Sequence, residues 1–350
     1  MTDSSPGAAI SGIGMLTSVG YRAPAAAAAI RAGIRRFIEI EDATDFEGEL
    51  VCGAPIPLLE DHPTPRIEMM LGAASEAFRS AFPSVGECDG PVWVSISTAT
   101  PTESGDTHLG HYPLERLQVA IPDLVIHSES EVRPGCHASA LEAVACGTRM
   151  LSEGKVKACL IGGVDSLLPG ERLARLEEEY RLRTTYNPHG LIPGEGAAFV
   201  VIEAESSDRS QHAWARIGSV GIGMESNPIT SDAPCLSEGL STAIREATRD
   251  YCEPQRSILG VLCDLNGEPY RANEWSLARS RTLRWASVID LWHPAECLGD
   301  VGAATGGVLL AVGATALQKG YSAGPELLLW AGSDSGTRCS VFLCRTSQPA

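Results

Sequence analysis

The sequence has no stretch of 18 uncharged apolar residues, so it offers no helix able to cross a membrane. Its first residues, MTDSSPGAAISG, lack a basic start followed by an apolar run, and the expected location is the cytoplasm. Basic residues are scarce: 27 Lys and Arg stand against 44 Asp and Glu, a formal net charge of -17. A surface that acidic argues against nucleic acid and anionic membranes as partners. The 11 cysteines show no CxxC spacing, and Cys146, Cys159, Cys263 and Cys344 stand in apolar runs. They read as buried free thiols rather than disulfides or a zinc cluster. Glycines 194 and 196 lack both the GxxxxGK[ST] lysine and the GxGxxG spacing before a helix, so they do not form a phosphate loop. His108 and His111 have a spacing that suits a metal, but in TATPTESGDTHLGH they read as surface-loop histidines. No metal and no cofactor is expected.

What is present is a 350-residue chain with 44% hydrophobic residues and 36 glycines, which suits a closely packed α/β protein with a large core. Its most informative stretch is Val132 to Leu168, VRPGCHASALEAVACGTRMLSEGKVKACLIGGVDSLL. Pro134-Gly135 marks a turn, and Ala138, Leu141, Ala143, Val144, Thr148 and Leu151 follow at spacings of a helix buried on more than one side. Ala158 to Ile161 then reads as a buried strand running into Gly162-Gly163, where a second backbone can come close. The turn residues Cys136 and His137 stand at the helix start, where unpaired N–H groups and the positive dipole end converge. Further helices are expected over Pro24 to Phe37, Thr64 to Phe82, Glu171 to Arg183 and Cys235 to Cys252, and a strand at Val92 to Ile96. On the third helix, Glu177 with Arg181 and Glu179 with Arg183 have i,i+4 spacing. The polar stretch AESSDRSQ, from Ala204, divides the chain into halves at 1–210 and 211–350.

Four segments carry a resemblance. Val132 to Leu168 resembles the nucleophile segment of the β-ketoacyl synthases of the thiolase superfamily, and Asn187 to Glu203, NPHGLIPGEGAAFVVIE, is similar to their glycine-rich GEGAG segment. Ile10 to Gly20 resembles the family's opening strand, and Gly336-Thr337 its closing glycine loop. The resemblance implies the thiolase fold, two similar α/β halves in a five-layer α-β-α-β-α sandwich, with Val92 to Ile96 beside a dimer seam.

The same resemblance places the family's catalytic positions on altered residues. Its cysteine falls on His137, with Cys136 one residue early. Its two histidines fall on Asp264, in LCDLNGEPYRANE with Glu274 downstream, and on Asp300, in CLGDVGAATGG. The expected lysine falls on Ala295. Asp334, in place of the gating phenylalanine, and Leu191 are the implied substrate-binding positions. Decarboxylating condensation needs a thiolate and neutral donors at a developing anion, and two carboxylates repel that anion unless one stays protonated. Three readings follow. One is a non-condensing homodimer, or heterodimer with an active ketosynthase, that binds an acyl carrier protein or acyl-CoA. The second is an altered acyl-thioester hydrolase or acyltransferase using His137 with Asp264 and Asp300. The third is a conventional condensing enzyme using Cys136. The helix end is expected to lower the imidazole pKa, a nearby carboxylate to raise it, and Cys136 to point away from the pocket into packing. Arg279, Arg281 and Arg284 are a candidate basic patch for an acidic carrier, or simply a solvated helix face.

Overall fold

A computed structural model of the chain describes residues 7–59, 65–99, 112–206, 213–251 and 258–346. Its strands are β1 (Ala8–Thr17), β2 (Ile38–Thr44), β3 (Leu50–Gly53), β4 (Val92–Thr98), β5 (Glu131–Pro134), β6 (Ala158–Ser166), β7 (Glu195–Ala204), β8 (Ala215–Met224), β9 (Ile258–Cys263), β10 (Val288–Trp292), β11 (Glu326–Gly332) and β12 (Thr337–Cys344). Its helices are α1 (Ala23–Arg31), α2 (Pro65–Ala81), α3 (Tyr112–Ala120), α4 (Ser139–Ser152), α5 (Gly170–Glu178), α6 (Glu238–Thr248), α7 (Pro269–Thr282), α8 (Ala295–Leu298) and α9 (Thr305–Lys319).

Ten strands run in the order β10-β9-β11-β12-β8-β1-β7-β6-β4-β5. Read outward from the middle, the two sides repeat one another. In β1-β7-β6-β4-β5 the pairings are antiparallel, antiparallel, parallel, parallel. In β8-β12-β11-β9-β10 they are the same in the same sequence. The sides join where Ala8, Ala9 and Ile10 of β1 meet Ile217, Arg216 and Ala215 of β8.

Apolar burial shows the layers. One core gathers α4 and α9 residues, such as Leu141, Val144, Val308 and Val312, with one face of both halves of the sheet. A second packs α2 and α3 against the opposite face of the first half, around Phe78, Phe82 and Phe199. A third packs α6 and α7 against the second half, around Trp275, Trp330 and Phe342. Helix, sheet, helix, sheet, helix is the five-layer order that the resemblance implies.

Small residues set the spacing of the central layer. A Cβ on Gly162 would come within 2.2 Å of the Ala198 carbonyl oxygen, and one on Gly163 within 2.0 Å of that of Ala303. The second contact lets the loop carrying Asp300 lie directly on β6. Tight packing of this kind leaves no room for a methyl group without moving backbone.

Several expected boundaries shift for local reasons. The first helix stops at Arg31 rather than Phe37, since Gly33 turns left-handed at φ 67°. The helix expected to reach Arg183 ends at Glu178, before Tyr180 at φ 55°. Its exposed i,i+4 pair is therefore Arg175 with Glu179, at 2.9 Å, while Glu177 is buried and accepts bonds from the Phe46 N–H and the Tyr186 hydroxyl. His108 and His111 lie outside the described residues. No helix among the described residues is long and apolar enough to cross a membrane.

Candidate active site

The parallel strands β4, β5 and β6 end on one side, and the chain turns there through Gly135, Cys136 and His137 into α4. Gly135 fits because a Cβ would fall 2.9 Å from that of Ser97, and the Ser139 hydroxyl accepts the Cys136 N–H at 2.9 Å. His137 is 6% exposed and directed inward. Asp264 follows the last residue of β9, and Asp300 stands on the loop between α8 and α9.

These three residues converge. His137 Nδ1 lies 3.1 Å from Asp264 Oδ2, and Nε2 lies 2.8 Å from Asp300 Oδ1. Asp264 Oδ2 also accepts bonds from Arg271 at 2.7 Å and from the Gly332 N–H at 2.8 Å. Asp300 Oδ1 accepts the Gly302 N–H at 2.8 Å, and its Oδ2 accepts Asn266 Nδ2 at 2.6 Å. The Asp300 backbone is fixed as well, donating to Ile192 O at 2.7 Å and accepting from the Gly194 N–H at 2.8 Å. The glycine-rich segment singled out by the sequence is thus the cradle of Asp300.

The electrostatics follow from these bonds. Burial alone pushes the imidazole pKa down, but the Asp300 charge and the hydrogen bonds that the ring donates to both carboxylates outweigh it and raise His137 to about 10. The expected lowering by the helix end is overruled by two ionised partners in contact. Burial pushes Asp264 and Asp300 up, yet Arg271 and His137 hold both below the ordinary carboxylate range. At neutral pH the set is an imidazolium clamped between two carboxylates. It has no ring lone pair to act as base or nucleophile, and no neutral acid to donate toward an oxyanion.

Around the clamp runs a network the sequence reading did not single out. Arg271, 3% exposed on α7, bridges Asp264 to Asp334 Oδ1 at 3.0 Å and to the Gly332 carbonyl at 3.1 Å. Arg181 joins Glu268 at 2.7 Å and Asp334 Oδ2 at 2.7 Å. Arg181 was expected to pair with Glu177 on its own helix, but the helix ends before it and the side chain turns inward instead. Arg271 was legible in principle. A buried carboxylate such as Asp264 needs a cation, and YRANE holds one a helical turn from Glu274.

A cavity of about 320 Å³ opens above the clamp, with His137, Cys136, Arg133, Arg181, Ser333 and Asp334 on its wall. Cys136 therefore shares the pocket with His137, contrary to the expectation that it points away. Burial pushes its thiol pKa up, with Ser333 opposing, so at neutral pH it is a thiol and not a thiolate. Asp334 is no apolar gate. Its side chain is 38% exposed and tied to two arginines, which hold its carboxyl below the ordinary range against the upward push of burial. Leu191 reaches the cavity wall from a small cluster with Leu173, Leu176 and Leu182 and is 1% exposed. Behind the imidazole a second void of about 10 Å³ has room for one water at most.

Solved structures match this fold over nearly the whole chain. A β-ketoacyl synthase from Burkholderia phymatum superposes with a TM-score of 0.75 at 18% identity, covering 98% of this chain and 100% of that one. This is the ketosynthase fold. A ketosynthase in complex with its chain length factor from Xenorhabdus doucetiae gives 0.74 at 14% identity, covering 99% and 100%. A type II polyketide acyl carrier protein in complex with its ketosynthase, bound to the hexaketide, gives 0.79 at 14%, covering 98% and 100%. No protein-family model and no curated protein matches the sequence.

Proposed function

We propose that this chain is a ketosynthase-like protein of fatty-acid or polyketide type metabolism that does not condense, and that it works as the dimer partner of an active ketosynthase. The observation that carries the reading is the His137 imidazole with both ring nitrogens engaged by Asp264 and Asp300. A site built this way orients side chains and holds the layers together, and it supplies neither a thiolate nor an oxyanion donor. The ketosynthase bound to its chain length factor is a solved precedent for pairing within this fold. The edge strand β5, with Glu131, Val132 and Arg133 half-buried, is the place in this reading where a partner's sheet would pair. What favours this reading over a hydrolase using His137, or a condensing enzyme using Cys136, is that both ring nitrogens of His137 are already engaged by carboxylates and so are turned away from a water or a thiol proton. Arg279 and Arg281 on α7 and Arg284 just beyond its end, all exposed, remain the proposed carrier-docking patch.

The test is direct. Purified alone, the protein should neither decarboxylate a malonyl-loaded carrier protein nor retain an acyl group on Cys136 by intact-mass measurement. Co-expressed with a ketosynthase from the same source, it should elute with it as a heterodimer. Decarboxylation or condensation by the isolated chain would overturn the proposal.

A further inference from the structure

The side of α7 beyond Arg271 holds a second cluster, whose residues do not line the cavity at His137. Glu225, directly after β8, is 2% exposed, and its Oε2 accepts the Gly239 N–H at 3.1 Å. Glu274 on α7 is fully buried, and its Oε1 accepts Arg338 Nε at 2.7 Å. The other oxygen of each carboxylate is buried with no hydrogen-bond partner among the described residues. Cys235, half-buried on the loop before α6, completes the group. One ligating atom from each of the three residues lies within 4.8 Å of the other two.

We propose that Glu225, Cys235 and Glu274 bind one divalent transition-metal ion of the zinc class. Two carboxylates in a dry space each leave an oxygen that a protein donor does not reach, which is costly unless a cation takes both. Arg338 answers only one oxygen of Glu274, its remaining donors going to the Ser333 and Thr337 carbonyls and the Tyr270 hydroxyl. Two carboxylates, a thiolate, one guanidinium and a doubly charged ion sum to neutrality.

The donor set selects the ion. A thiolate disfavours magnesium and calcium, which take oxygen ligands, whereas zinc accepts sulfur and carboxylate together in a tetrahedral site. Bonds of about 2.0–2.3 Å would draw the ligand atoms in to about 3.5 Å apart. The half-exposed side of Cys235 leaves the fourth position for water. The ion would pin the end of β8 to α7, the helix whose Arg271 braces Asp264 and Asp334.

Cobalt(II) reports the site through a thiolate-to-metal charge-transfer band, and zinc retained after dialysis gives the stoichiometry. The full-length protein should hold one equivalent and melt at a higher temperature with zinc than with chelator. Cys235→Ser should lose the band and at least tenfold in affinity, as should Glu225→Gln. Circular dichroism checks that each variant folds, and Cys235→Ser, a near-isosteric change at a half-buried position, decides the matter if Glu225→Gln does not fold. Retention of the band in Cys235→Ser would assign it to another cysteine and overturn the proposal. So would the absence of any zinc uptake by the unaltered protein.

Discussion

Helices α4 and α9 hold the same place in the repeated strand order, between the third and fourth strands of their halves, yet they meet different surroundings. In α9 every residue from Gly306 to Leu317 is buried, walled on all sides by its own chain. In α4, Glu142 and Cys146 are half-buried and Arg149 is exposed, so one flank stays open. The residues before the two helices follow suit. Asp300 is locked through its backbone N–H, its carbonyl and both carboxylate oxygens. His137 takes its fixed position from Asp300 and Asp264 and faces a cavity. The sealed half thus supplies a rigid carboxylate and the open half the group it holds. At this meeting of the halves, charge pairing is the organising contact.

The contrast breaks most strongly at Asp300. Replacing it by asparagine leaves the imidazolium with one ionised partner in a dry site, and removing one member of a buried pair costs about 3–5 kcal/mol. Urea unfolding of Asp300→Asn at pH 7 should show a loss of that order. A loss below about 1 kcal/mol would mean that the sealed side does not hold the clamp.

Titration sharpens the same point. With a pKa raised from 6.5 to about 10, His137 contributes stability that is complete below about pH 6.5 and lost as pH rises through 10. Asp264 and Asp300, both lowered, contribute above the ordinary carboxylate range and lose it on acidification. Unfolding free energies at pH 6.5, 8 and 10 should therefore fall by a few kcal/mol more in the unaltered protein than in His137→Gln. Parallel curves for the two proteins would show that the imidazole is neutral at pH 7.

The third effect is steric and comes from the contact between the halves. Gly163→Ala drives a methyl group to 2.0 Å from the Ala303 carbonyl oxygen, so the Asp300 loop must lift off β6. Overpacking of a tight core costs about 1–3 kcal/mol, and here it should also flatten the pH profile by loosening the clamp. A stability loss with an unchanged profile would separate the loop's packing from its electrostatic role.

Much of this was legible in the chain itself. Periodicity gave α2, α4 and β6, because buried helices and strands leave unbroken small or apolar patterns, and the glycines of β6 announced a close backbone. The meeting of His137, Asp264 and Asp300 was one alternative that the resemblance raised and left open, since nothing in local spacing joins His137 to aspartates 127 and 163 positions away. The protonation state of His137 was not legible. It depends on Arg271, Asn266 and the Gly302 and Gly332 N–H groups, each a tertiary contact. The end of α5 was misread because Tyr180 adopts a left-handed backbone for which a tyrosine gives no sequence signal. That error hid Arg181, which looks like a surface arginine and lies in the network instead.

The smallest effect tests whether ion pairs matter here only where they are buried. Arg175 and Glu179 meet at 2.9 Å with side chains 49% and 38% exposed, as close as the pairs inside the site. Water screens them, and holding two long side chains together costs entropy, so an exposed i,i+4 pair contributes about 0.3–0.5 kcal/mol. Arg175→Ala should lower unfolding free energy by no more than that, and the difference should vanish in 1 M salt, where screening acts over about 3 Å. Asp300→Asn should keep most of its loss in the same salt, because ions do not reach a site from which solvent is shut out. If salt erased both differences alike, the clamp would be open to solvent, and His137 would titrate as a surface histidine.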